Sequence, residues 1–83
     1  MAYEELKMAK RRTVGTRETI KALERGEVKV LYLASDAEEH VVRDLKALSA
    51  AKGVPVRYAN TMQELGKACG IGVGAAAAAV LDS

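Results

Sequence analysis

Gly74-Ala75-Ala76-Ala77-Ala78-Ala79-Val80-Leu81 admits two readings, and the fold depends on which is taken. Alanine is the strongest helix former, so intrinsic propensity makes this segment a terminal helix. The elements before it argue the other way. They read helix, strand, helix, strand, helix, a rhythm that leaves a sheet wanting one more strand. Alanines also suit a central strand on which helices pack very closely from both faces. Composition leaves both readings open.

Working outward from that segment, Thr61-Met62-Gln63-Glu64 is a T-x-x-E capping box that opens a helix with Met62, Leu65, Ala68 and Cys69 inward, ended by Gly70. Val54-Pro55 breaks the preceding pattern, and Val56-Arg57-Tyr58-Ala59 alternates as a short strand. Val41, Val42, Leu45, Leu48 and Ser49 form the inner stripe of another helix, capped by Ser35 or Asp36 and closed at Lys52-Gly53. Val28-Lys29-Val30-Leu31-Tyr32-Leu33-Ala34 is nearly continuous in apolar residues and predicts a central strand buried on both faces. Thr16 is the expected N-cap of a helix reaching about Arg25, where Gly26 stops it. Ahead of it, Tyr3 to Arg11 reads as a short helix and Thr13-Val14-Gly15 as a brief extended segment.

The composition bounds what such a chain can do. Its 83 residues suit a single domain, 1–83, with one modest core. Aromatic residues are limited to Tyr3, Tyr32 and Tyr58, so aliphatics must fill that core. No apolar run reaches membrane-spanning length, and the N-terminus lacks a secretory apolar stretch, which predicts a protein without membrane contact. A lone cysteine suits a reducing cytoplasm, and one His with one Cys cannot build a closed zinc site. His40 has no second ligand or nucleophile at useful spacing. Cys69 occupies an inward helix position, and Asp36, Glu38 and Glu39 read as helix-capping groups. No acid, base and nucleophile assemble, so no enzyme, catalytic residue, metal or cofactor is expected.

Charge is distributed unevenly. Lys7 to Lys29 holds eight cations against three acids, although the whole chain has a net charge of only +2. One electropositive face suits a polyanion such as nucleic acid. Within that stretch, Gly15-Thr16-Arg17-Glu18-Thr19-Ile20-Lys21 combines a glycine, a helix start with unpaired N–H groups, two cations one turn apart, and one acceptor. Cations alone hold phosphates, whereas donors with an acceptor can read base edges. An ordinary amphipathic helix with a Glu18–Lys21 pair is the alternative.

The second conspicuous feature is Gly70-Ile71-Gly72-Val73-Gly74. It follows a helix rather than a strand, and no acidic residue follows about 20 positions on, so it does not fit a dinucleotide fingerprint. It reads instead as a loop whose backbone approaches something closely, presenting Ile71 and Val73 between glycines.

Taken together, these segments resemble the kink-turn-binding ribosomal protein family, which includes the archaeal large-subunit protein that also serves in guide-RNA particles. Gly15 to Lys21 is similar to the family's G-x-N-E-x-x-K stretch. Leu65 to Ala76 is similar to its second signature, a helix end, an apolar loop and an alanine-rich last strand. Element order agrees over nearly all of the chain, most closely with short bacterial members. The resemblance implies an α/β fold, a three-layer α/β/α sandwich around a mixed four-stranded sheet, with the alanine run as a strand. It also implies a partner: structured RNA with a kink-turn, in which tandem sheared G·A pairs flank a three-nucleotide bulge. Gly15, Thr16, Arg17, Glu18 and Lys21 would meet the G·A region, and Gly70, Ile71, Gly72 and Val73 would cover the extruded nucleotide. Arg11, Arg12 and Arg25 of the basic stretch would support the RNA.

Two positions depart from the family pattern. Arg17 replaces an Asn, exchanging a donor–acceptor amide for a pure donor, which favours phosphate contact over base discrimination. Gly72 replaces an acidic residue between the loop aliphatics. The expected protein is a cytoplasmic, monomeric, non-catalytic RNA binder associated with the ribosome. The alternative is a structural component, bound to the ribosome or to a protein, that holds RNA through its basic face without kink-turn specificity.

Overall fold

The computed structural model describes residues 3–82. Its elements are α1 (Glu4–Met8), β1 (Arg12–Val14), α2 (Thr16–Arg25), β2 (Val28–Ala34), α3 (Glu39–Ala51), β3 (Val56–Ala59), α4 (Met62–Ala68) and β4 (Ala77–Leu81). The strands form one sheet in the order β1-β4-β2-β3. β4 runs antiparallel to both β1 and β2, while β2 and β3 are parallel, so the sheet is mixed. The alanine run is therefore a strand, inserted between β1 and β2.

Alternation along the strands builds two cores. Val30, Tyr32 and Ala34 of β2, with Ala78 and Val80 of β4, face Leu6 of α1 and Leu65 and Ala68 of α4. Leu31 and Leu33, with Ala77 and Ala79, face Ala22 and Leu23 of α2 and Leu45 of α3. An irregularity between Val28 and Val30 turns Val28 onto the α2–α3 face, against the simple period of two. Three layers result, with β2 and β4 covered on both sides. Alanine at Ala77, Ala78 and Ala79, each fully buried, lets the helices come close to the sheet.

Several element ends differ from their sequence-based expectations, each for a tertiary reason. α1 stops at Met8 rather than Arg11 because the chain turns extended at Ala9 and Arg11 joins the sheet region, its carbonyl accepting from Leu81 N at 3.0 Å. Thr16 is the first residue of α2 and not its cap. The N-cap is Gly15, at φ 98° and ψ 156°, a conformation essentially restricted to glycine. α3 begins at Glu39 with Glu38 as its N-cap and without a side-chain cap, so neither Ser35 nor Asp36 serves there. Asp36 instead reaches across to α4, where its Oδ1 accepts from Met62 N at 2.7 Å. Only half of the Thr61–Glu64 capping box forms: Thr61 Oγ1 accepts from Glu64 N at 3.0 Å, while Glu64 Oε1 accepts from Tyr3 Oη at 3.1 Å.

Burial pushes the Tyr32 phenol above its ordinary value, with the Glu5 carboxylate adding to the effect and Arg57 opposing it. Burial likewise raises the Cys69 thiol, partly offset by the Arg12 guanidinium. Both folded-state values lie above the unfolded ones, so folding favours the protonated forms. That stabilisation is fully present below the unfolded values and is lost as pH rises through the raised folded ones. Thermal midpoints measured across the alkaline range should be flat to roughly pH 8 and then fall, with the Cys69 and Tyr32 ordinary values near pH 9 and 10 marking the onset. The Cys69→Ala variant should lose the lower part of that decline.

Candidate nucleic-acid interface

The two motifs are far apart in sequence and adjacent in space because β1 and β4 are neighbours. Val14 pairs with Ala78, and just beyond that pair Gly15 N donates to Ala77 O at 2.8 Å. Ala77 begins β4, three residues after Gly74, so one hydrogen bond joins the start of α2 to the strand that the glycine loop leads into. On the other side of β4, Ala34 N donates to Ala76 O at 2.9 Å. The start of α2, the β2–α3 turn and the glycine loop thus share one end of the sheet.

At the start of α2, helix geometry leaves the N–H groups of Thr16, Arg17 and Glu18 without intrahelical partners, and no side chain caps them. Thr19 N donates to Gly15 O at 3.1 Å. The buried Thr19 hydroxyl lies 2.9 Å from the Thr13 hydroxyl, pinning the helix to β1. Glu18 and Lys21 form an exposed i, i+3 pair at 3.8 Å. In water such a pair contributes little, so both groups can turn to a ligand at small cost. Arg17 is exposed, and together with Thr16, Ile20 and Lys21 it lines an open depression.

The loop doubles back along α4. Cys69 caps the helix, Gly70 takes φ 78°, and Ile71 N donates back to Gly66 O at 3.1 Å. Ala75 N then donates to Met62 O at 3.0 Å, so the chain from 70 to 75 retraces the helix from its C-terminus to its N-terminus. Gly66 permits this course, because a Cβ there would collide with the Val73 carbonyl. Gly74 passes close to Met62, whereas Gly72 is surrounded by open space. Ile71 and Val73 do not fold into the core: Val73 is 72% exposed and Ile71 37%. Together with Asp36, Met62, Gln63 and Lys67 they border an open groove of about 630 Å³.

Not every expected contact residue reaches this surface. Arg11 lies at the opposite end of the sheet, where it donates to Asp82 O at 3.0 Å and pairs with Glu27 at 3.6 Å. Arg25 is exposed in the last turn of α2, about 12 Å along the helix axis from Arg17. Arg12 is exposed, but its guanidinium is engaged with backbone carbonyls at the ends of α1 and α4. Gly15, at the start of the segment that carries Thr16, Arg17, Glu18 and Lys21, is tied to Ala77, and Gly70, Ile71, Gly72 and Val73 lie in the loop that leads into that strand. Two residues have structural roles that the sequence does not state. Asp36 holds Met62 N on α4 instead of capping α3, and nothing local reveals that partner. Gly66 left a signal, since a glycine inside a helix weakens it and its presence points to a close approach.

A profile of the ribosomal protein L7Ae/L30e/S12e/Gadd45 family matches residues 2–83. The chain is 45% identical over 80 residues to an RNA-binding protein of Halalkalibacterium halodurans, covering 96% of this chain and 98% of that one. It is 47% identical over 68 residues to large ribosomal subunit protein eL8 of Halobacterium salinarum, covering 81% of this chain and 57% of that longer one. Among solved structures, a 15.5kD RNA binding protein of Giardia lamblia matches with a TM-score of 0.80 and 27% identity, over 87% of this chain and 61% of that chain.

Proposed function

The chain belongs to the ribosomal protein L7Ae/L30e/S12e/Gadd45 family, and we propose that it is a monomeric, single-domain cytoplasmic protein that recognises and stabilises kink-turns in structured RNA, including RNA of the ribosome. It is a non-catalytic protein that binds RNA, a reading supported by its family and by a relative named as an RNA-binding protein. The observation that supports kink-turn recognition is the Gly15–Ala77 hydrogen bond, which ties a polar helix start to the strand that follows an exposed apolar loop.

The two halves suit two parts of a kinked RNA. The unpaired N–H groups of Thr16, Arg17 and Glu18 face acceptors, and Arg17 and Lys21 add charged donors. The Glu18 carboxylate accepts from an exocyclic amine, which phosphate contacts alone would never require. Ile71 and Val73 offer an apolar cover for a base that has left its stack. A base inside a continuous duplex has no such exposed face. Binding therefore favours the kinked members of an RNA ensemble and shifts its population toward them.

A titration against a kink-turn duplex and a twin lacking the sheared G·A pairs tests this. The kink-turn should bind about 100-fold more tightly, a difference of roughly 2.7 kcal/mol. Glu18→Gln should reduce that preference about tenfold without changing the thermal midpoint. Equal affinity for both duplexes would overturn kink-turn recognition and leave binding through the basic face alone.

A further inference from the structure

Arg12 sits on β1 with its side chain on the α1–α4 face, three residues ahead of Gly15. Its Nη1 donates to Leu6 O at 3.2 Å and to Lys7 O at 3.4 Å. Its Nη2 donates to Cys69 O at 2.8 Å. Leu6 and Lys7 lie at the end of α1, and Cys69 is the C-cap of α4, the last residue before the glycine loop. Helix C-termini leave carbonyls unpaired and concentrate partial negative charge. Here two of them converge on one planar cation. A guanidinium supplies five donors in a fixed fork and can span both ends at once, whereas a lysine ammonium is a single point.

We infer that Arg12 is a positioning residue for the RNA-contacting loop: it fixes where the chain leaves α4 relative to β1, and hence relative to Gly15, instead of meeting a phosphate itself. This rests on the kink-turn reading for its consequence on binding, while the geometric part is independent of any RNA. Its donors already point at three carbonyls, and swinging the side chain out to RNA would take a charged donor from the ends of both helices. Loop placement then depends on a residue outside both recognition motifs. Arg17 and Lys21 on α2, and Lys67 beside the loop, are then the cations free to face phosphate at this end of the sheet.

The experiment compares Arg12→Lys and Arg12→Gln with the wild-type protein. In the free protein, amide hydrogen exchange is followed at Ile71, whose N–H is held by Gly66 O, with Leu31 and Leu33 in the central sheet as internal controls. Arg12→Lys should accelerate exchange at Ile71 about tenfold and leave the sheet amides unchanged. In binding, Arg12→Lys should weaken kink-turn affinity about tenfold with no change in the slope of log affinity against log salt. If Arg12 were a phosphate contact, Arg12→Lys would bind like wild type and Arg12→Gln would flatten that slope by about 0.7–0.9. Either that pattern or wild-type exchange at Ile71 in Arg12→Lys overturns the inference. Should the wild-type protein fail to distinguish the kink-turn from its twin, the functional reading fails, and the exchange arm still decides the role of Arg12.

Discussion

Replacing Gly66 by alanine is expected to remove tight RNA binding while the protein stays folded. The new methyl would overlap the Val73 carbonyl, a backbone atom that cannot rotate aside as a side chain would. Either the loop moves off α4 or the helix shifts, and the loop is the less constrained of the two. Overpacking of this kind costs about 1–3 kcal/mol. Alanine recovers up to about 1 kcal/mol through better helix propensity. With that gain realised in full, the expected net loss of stability is about 0–2 kcal/mol, followed by denaturant unfolding. Binding suffers more, because the displaced segment contains both Ile71 and Val73. A fall of about 100-fold in kink-turn affinity is expected, equivalent to roughly 2.7 kcal/mol. Gly72→Ala provides the contrast, since its Cβ would meet nothing and its backbone is not left-handed. Its stability should stay within about 0.5 kcal/mol of wild type. Wild-type affinity in Gly66→Ala would remove the loop from the interface.

The second large effect is expected at Val73, where binding separates from stability. Its side chain is 72% exposed in the free protein, so Val73→Asp takes almost nothing from the core. Unfolding free energy should change by no more than about 0.5 kcal/mol. In the proposed complex, the same position would cover an unstacked nucleotide. Valine there contributes about 1.5–3 kcal/mol of apolar burial, and aspartate adds the cost of desolvating a charge near phosphates. Kink-turn affinity should fall by at least about 100-fold, while the weaker affinity for a plain duplex changes far less. An equal loss against both RNAs would mean that Val73→Asp acts by charge repulsion alone, and the apolar cover would then have no part in recognition.

Both motifs were legible before any coordinates because each is local. Gly15 to Lys21 reads as a helix start with paired donors and an acceptor, and Gly70 to Gly74 as a loop with two stranded aliphatics. Their meeting was not legible from the residues themselves, because it depends on the pairing of β1 with β4. The cations show the same limit. From sequence, Arg11, Arg12, Arg17 and Arg25 form one basic stretch, yet the fold sends them to different places. Arg11 lies at the far end of the sheet, Arg25 at the far end of α2, and Arg12 bridges the carbonyls of two helix ends. A charge count records how many cations are present but not which carbonyl lies within reach of each. Asp36 follows the same logic, since its partner Met62 is 26 residues away and only the packing of α4 brings it near.

By itself, the sequence determined the buried strand Val28–Ala34, the helix stripes, the capping residue Thr61 and the two motifs, all of which arise from neighbours along the chain. Tertiary structure decided the state of the alanine run. Over Ala77 to Leu81, helix propensity favours alanine by less than about 1 kcal/mol per residue over most alternatives. Against this stand two ladders of backbone hydrogen bonds, to β1 and to β2, and two helical layers that bury the alanines completely. Non-local pairing and burial act on every residue of the strand at once, so they outweigh a local preference of that size.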